Sequence, residues 1–170
     1  MQRRWIYAVA MATTMALIGA HPVGAAEPIS ASADGRRISL EQAGSMSCHD
    51  LDFPTLRCFT SSAAMELDAV GRLGSFSPDG GVIAVLDVGY VIVYEHASYG
   101  GSSLLLSADQ AWLSSIGWND RISSFKSFGA TGNFRENSPT GGWTYAFIPG
   151  AQVSSLSGTY NDKFSALYLN

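Results

Sequence analysis

Two octapeptides forty-two positions apart, WNDRISSF at 118–125 and YNDKFSAL at 160–167, carry the same chemistry column by column. Each reads aromatic, Asn-Asp, cation, apolar, Ser, small, apolar. Such duplication constrains architecture strongly, because a repeated unit that cannot bury its apolar face alone has to pack against its copy. The repeat extends upstream: EHASYGG at 95–101 matches ENSPTGG at 136–142, with the aromatics Tyr94 and Phe134 ahead of them. The paired glycines suit tightly folded hairpin tips, where positive φ penalises other residues.

Around these repeats the chain is written in strands. VIAVL, YVIVYEH, SSLLLS, ISSFKSF, WTYAFI and FSALYL are short, β-branched or aromatic, and separated by Gly, Asn, Asp and Ser. This spacing predicts a mainly β, antiparallel domain over 81–170, a sandwich or barrel, and the repeat suggests two Greek keys of about forty residues each.

Upstream, residues 27–80 read as an N-terminal extension. SASADGRR is expected to be a flexible leader, and ISLEQAG a short turn or helix. CHDLDFPTLRC, with Pro54 inside, is expected to form a loop stapled by Cys48 and Cys58. Thr60, Ser61 and Ser62 offer N-cap hydroxyls for one short α-helix over AAMELDAVGRL, with Ala63, Met65, Leu67, Val70 and Leu73 as its apolar face. FSPDGG then reads as a turn.

Residues 1–26 have the pattern of a secretory signal peptide: Arg3 and Arg4, the apolar run from Trp5 to Ala20, then small residues up to Ala26. The apolar run is short of the roughly 20 residues that a membrane span needs, so no span is expected in the mature chain. Export predicts a secreted, extracellular protein in which a cysteine pair is bridged. A zinc site using Cys48, Cys58 and His49 is the alternative.

With Arg3 and Arg4 in the leader, eight of the ten Lys and Arg remain against fourteen Asp and Glu. Without a basic run, nucleic acid is not an expected partner. Past the leader, only His49 and His96 could serve as imidazole bases. Neither accompanies a nucleophile motif such as Gly-x-Ser-x-Gly, so no enzyme is predicted.

With both repeats read, residues 85–170 resemble the βγ-crystallin superfamily. Its Greek-key motif carries an aromatic and a glycine in a folded hairpin, which Tyr94 and Gly101 match. Its calcium-binding branch carries (Asn/Asp)-(Asn/Asp)-x-x-(Ser/Thr)-Ser. Asn119, Asp120, Ser123 and Ser124 match in full, whereas the second copy keeps Asn161, Asp162 and Ser165 but has Ala166 last.

The resemblance implies a Greek-key β-sandwich of two motifs, in a secreted bacterial protein that binds one or two Ca2+ ions. One site would draw on Asn119, Asp120, the Arg121 carbonyl and Ser123 with oxygens near Glu136. The other would draw on Asn161, Asp162, the Lys163 carbonyl and Ser165 with oxygens near Glu95. Independently of the family, an oxygen-only loop suits calcium, and its ligand number demands a second loop or water. Asn and Asp also form Asx turns without any ion, so a plain turn is the competing reading of both loops.

The resemblance also includes secreted protease inhibitors and killer-toxin-like proteins. An alternative function is therefore binding of a protein or cell-envelope target, through the cysteine loop or ENSPTGGW. With one pair of motifs, a monomer and a homodimer are both compatible.

Overall fold

A computed structural model describes residues 27–76, 82–85, 89–137 and 141–170. The leader at 1–26 and most of the FSPDGG turn lie outside the described residues.

The segment 27–60 is structured throughout. Strands β1 (Ser30–Ala33) and β2 (Arg36–Ile38) form a hairpin in which Ala33 pairs with Arg36. Asp34 and Gly35 make its two-residue turn, at φ 49° and 72°. The flexible leader expected of SASADGRR is therefore corrected: Asp-Gly between two short runs is hairpin chemistry. Helix α1 (Leu40–Ala43) follows, closed by a capping box in which Ser39 and Gln42 bond each other's backbone.

Strands β3 (Ser47–Asp52) and β4 (Thr55–Phe59) then pair antiparallel, with Cys48 opposite Cys58. These two cysteines form a disulfide, so the stapled element is a hairpin and Cys48 offers no thiolate to zinc.

Helix α2 (Ser62–Leu73) starts at Ser61, whose hydroxyl accepts the Ala64 amide, and ends at Gly74. It buries Met65, Ala69 and Leu73, a stripe of i, i+4 and i+8. Leu67 and Val70, expected on the buried face, are exposed. Both lie off that stripe. Strands β5 (Gly74–Phe76) and β6 (Val82–Val85) form a separate antiparallel pair.

The sandwich is built from β7 (Tyr90–His96), β8 (Gly100–Leu106), β9 (Ser124–Phe128), β10 (Gly132–Arg135), β11 (Thr144–Phe147), β12 (Gln152–Val153) and β13 (Ala166–Leu169). One sheet runs β12-β9-β7-β8-β3-β4-β1-β2 and the other β11-β10-β13. The repeats exchange strands. β12 of the second copy pairs with β9 of the first, and Gln110 of the first bridges Leu167 of the second. This exchange makes the two Greek keys one sandwich. The N-terminal hairpins prolong the larger sheet, because β3 runs parallel to β8 with Ser47 beside Ser103.

Burial follows the strand period of two. Val91 and Val93 of β7 face the second sheet, joining Leu104, Leu106, Phe125, Phe134, Phe147, Phe164 and Leu167. Ile92, Tyr94 and Leu105 face the other way, onto Met65 and Ala69 of α2. β7 is thus apolar on both faces, which is why its sequence shows an unbroken apolar run. At the helix edge, buried His49 bonds Asp68 (2.9 Å), which also pairs with Arg57 and Arg72.

Candidate functional site

The repeated loops lie against each other at one end of the sandwich. Asp120 and Asp162 occupy the left-handed region, at φ 55° and 53°. Short polar side chains tolerate that conformation because they hydrogen-bond locally. In each copy the preceding asparagine does this, donating Nδ2–H to the aspartate Oδ2: Asn119 to Asp120 and Asn161 to Asp162, both at 2.7 Å.

The backbones then cross. The Asp120 amide donates to the Phe164 carbonyl (3.0 Å), and the Asp162 amide donates to the Ile122 carbonyl (3.1 Å). Ile122 and Phe164 hold the same place in the repeat, so each loop grips the other symmetrically. The serines are equally matched: the Ser123 amide donates to Tyr94 O and the Ser165 amide to Arg135 O. Each serine therefore sits beside the glutamate of its own hairpin, Glu95 or Glu136.

One side-chain contact spans the loops. Ser123 Oγ donates to Asp162 Oδ1 at 3.0 Å. The resemblance grouped Ser123 with Asp120 and Glu136; the hydrogen bonds group it with Asp162 and the Tyr94–Glu95 backbone. By the same crossing, Asp120 lies beside the Phe164–Ser165 backbone, next to the Arg135–Glu136 hairpin end. Both aspartates are exposed, and Ser123 and Ser165 are nearly buried.

Ser124 and Ala166 differ for a visible reason. The Ser124 hydroxyl donates to His96 O (2.6 Å) and accepts the Tyr99 amide (3.2 Å), fastening the first folded hairpin. Ala166 has no group to do the same for the second. Ser138, Pro139 and Thr140 of ENSPTGGW lie outside the described residues. Trp118 is buried in the core, while Tyr160 stacks edge-on with Trp143 and Tyr145.

The glutamates and cations of the two copies diverge. Arg121 holds Glu95 Oε1 at 2.8 Å. Burial alone would raise the Glu95 carboxyl, but the Arg121 hydrogen bond and charge, with Ser102, outweigh it and hold the group below its ordinary 4.5. Lys163, at the place of Arg121, is exposed and pairs with no described residue. Sequence reasoning treated Arg121 only as a source of a carbonyl. Its guanidinium contacts were not legible, because they depend on a segment 77 positions away.

Among the described residues no three His, Cys, Asp or Glu side chains converge. The donors available at the loops are hydroxyl, carboxylate and main-chain oxygens, a set that suits a hard cation and offers nothing to a soft one.

No protein-family model matches the chain, and no curated protein is significantly similar to it. Solved structures do match. A βγ-crystallin from an archaeon is 30% identical, covering 49% of this chain and 99% of its own, at a TM-score of 0.43. A βγ-crystallin domain from Clostridium beijerinckii is 26% identical over 47% of this chain and 95% of its own, at 0.42. A βγ-crystallin from Ciona intestinalis is 24% identical over 48% and 99%, at 0.45.

About half of this chain is similar to βγ-crystallin domains.

The likeness takes in nearly the whole of each neighbour. In this chain the larger sheet continues beyond β8 into β3, β4, β1 and β2.

Proposed function

We propose that the crossed Asn-Asp-x-x-Ser loops bind calcium, one ion at each of up to two sites, and that the protein is an exported βγ-crystallin-type module stabilised by the ion. The observation that carries this reading is the Ser123–Asp162 contact. It brings a hydroxyl of one repeat and a carboxylate of the other to a common point, beside a hairpin backbone. One ion would be held by Ser123, Asp162 and main-chain oxygen from the Glu95 segment. The other would be held by Ser165, Asp120 and main-chain oxygen near Glu136.

Calcium would supply only positive charge and a non-covalent link between the repeats. Few carboxylates per site place the affinity in a weak range of about 10⁻⁵ to 10⁻³ M, suited to calcium outside the cell. Export is supported by the leader pattern and by the Cys48–Cys58 bridge.

The test is the thermal midpoint of the purified protein in chelator, in millimolar calcium and in millimolar magnesium. An ion that binds only the native state at a hundredfold excess over Kd adds about 2.7 kcal/mol, so a rise specific to calcium is expected. An unchanged midpoint would remove the calcium reading.

A second reading is favoured by Phe53, which stands half exposed at the tip of the disulfide-closed β3–β4 hairpin. A rigid tip presenting an aromatic suits contact with a protein target. Incubation with secreted metalloproteases tests this reading: dose-dependent inhibition, lost in Phe53→Ala, supports it, and cleavage without inhibition discards it.

A further inference from the structure

Arg121 joins three parts of the molecule that the sequence keeps far apart. Its Nη1 donates to the Gly117 carbonyl of its own loop at 2.8 Å. Its Nη2 donates to Gly44 O at the end of α1 (2.7 Å) and to Glu95 Oε1 at the end of β7 (2.8 Å). The guanidinium lies over the buried Trp118 ring, 5.1 Å from its centroid. A planar fork with fixed donors can satisfy three acceptors at once, which a lysine ammonium on a flexible stem does less well.

The closeness is built in. A Cβ at Gly44 would stand 3.0 Å from Arg121 Nη1, so the extension approaches the loop where a glycine clears its path. A cleft of about 500 Å³ opens alongside, lined in part by Leu40, Glu41, Ser45, Ser102 and Ser115. Arg121 forms part of its wall and bonds both Gly44 O and Glu95 Oε1. Among the described residues Lys163, at the matching place in the second repeat, makes no hydrogen bond or ion pair.

Arg121 also flanks the first ion cluster. It lies two positions before Ser123 and pins the side chain of Glu95, whose backbone borders the same cluster. Ordering this loop and ordering the extension are therefore the same event at the guanidinium. We propose that Arg121 is a positioning residue that couples ion occupancy at the first loop to docking of the N-terminal extension. The inference rests on the calcium reading. Coupling of this kind is reciprocal: whatever docking of the extension does for calcium affinity, calcium does for docking, by the same factor.

Reciprocity supplies a readout that a purely structural contact would not move. Amide hydrogen exchange is measured on the purified protein with and without saturating calcium. The probes are Gly44, Ser45 and Met46, whose amides bond within the α1 turn. Asp162, in the other loop but in the same ion cluster, its amide bonded to Ile122 O, is the internal control for ion binding.

In the unaltered protein, calcium slows exchange at 44–46 by about tenfold, within the usual range of coupling factors. In Arg121→Ala that slowing disappears while the slowing at Asp162 remains. Arg121→Lys keeps the charge but behaves like Arg121→Ala. Gly44→Ala, which crowds the guanidinium from the other side, weakens the coupling and serves if the Arg121 variants fail to fold.

The outcomes separate the two readings. Slowing at Asp162 with none at 44–46 in the unaltered protein overturns the coupling and leaves calcium binding intact. Slowing at 44–46 that persists in Arg121→Ala removes Arg121 as the coupler. No slowing at either place overturns both.

Discussion

Ser123 donates its hydroxyl hydrogen to Asp162 at 3.0 Å, and the two residues come from different copies of the repeat, 39 positions apart. The contact is possible because the loops cross, each aspartate amide bonding to the opposite backbone. On the calcium reading, a half-site in one copy is thereby completed by the other. A duplicated loop with too few oxygens of its own has a reason to be duplicated.

Asp162→Gly and Asp162→Ala separate backbone geometry from ion binding. Asp162 sits at φ 53°, a conformation open to glycine and costly for alanine. In chelator Asp162→Ala should be the less stable, by up to about 1 kcal/mol. Both should lose the calcium shift of the cluster that contains Ser123, with the Asp120 cluster still responding. Denaturant unfolding of the two variants, with and without calcium, checks each half.

Stability should depend on pH through three carboxyls of opposite sense. Burial would raise Asp68, but the His49 hydrogen bond and the charges of Arg57 and Arg72 prevail and hold it below its ordinary 3.8. Such a group stabilises the fold fully above its unfolded value, and that contribution is lost as pH falls through the folded one. Glu95, held below 4.5, acts in the same direction.

Asp50 is the reverse. Burial holds it above 3.8 although Ser107 donates both its amide and hydroxyl to it, so its contribution declines as pH rises from 3.8 through the folded value. The free energy of unfolding, measured between pH 2 and 6, should rise with pH less steeply in Asp68→Asn and more steeply in Asp50→Asn than in the unaltered protein.

Gly142→Ala should be among the most damaging small substitutions. Its φ is +71°, and an added Cβ would lie 2.5 Å from the Glu136 carbonyl oxygen, a backbone atom that cannot swing aside. The expected loss is about 2 kcal/mol, or about 4 to 8 °C in Tm. Gly158→Ala, with nothing within 4 Å of the added atom, should be close to neutral. Thermal melts of the pair test the contrast.

Replacing both Cys48 and Cys58 by serine should cost about 2 to 3 kcal/mol, as expected for releasing a loop with a sequence separation of 10. The loss should show as a lower denaturant midpoint for β3 and β4, which lie in the larger sheet between β8 and β1. An unchanged midpoint would mean that backbone pairing holds the hairpin without its bridge.

The sequence by itself determined the repeat, and with it the paired Greek keys and the matched Asn-Asp loops. Each of these is written in local chemistry: alternation of apolar residues, glycines at hairpin tips, asparagine and aspartate where the backbone turns left. The Asp34-Gly35 hairpin was written in the same way and was read instead as a flexible leader. Only the tertiary structure decided that β3 lies parallel to β8, that Ser123 belongs with Asp162, and that Arg121 reaches Gly44. A period of two states which face of a strand is buried, but its edges are backbone groups, alike in every residue, and they carry no address for their neighbour. Contacts between distant segments are chosen by how whole sheets and loops fit together.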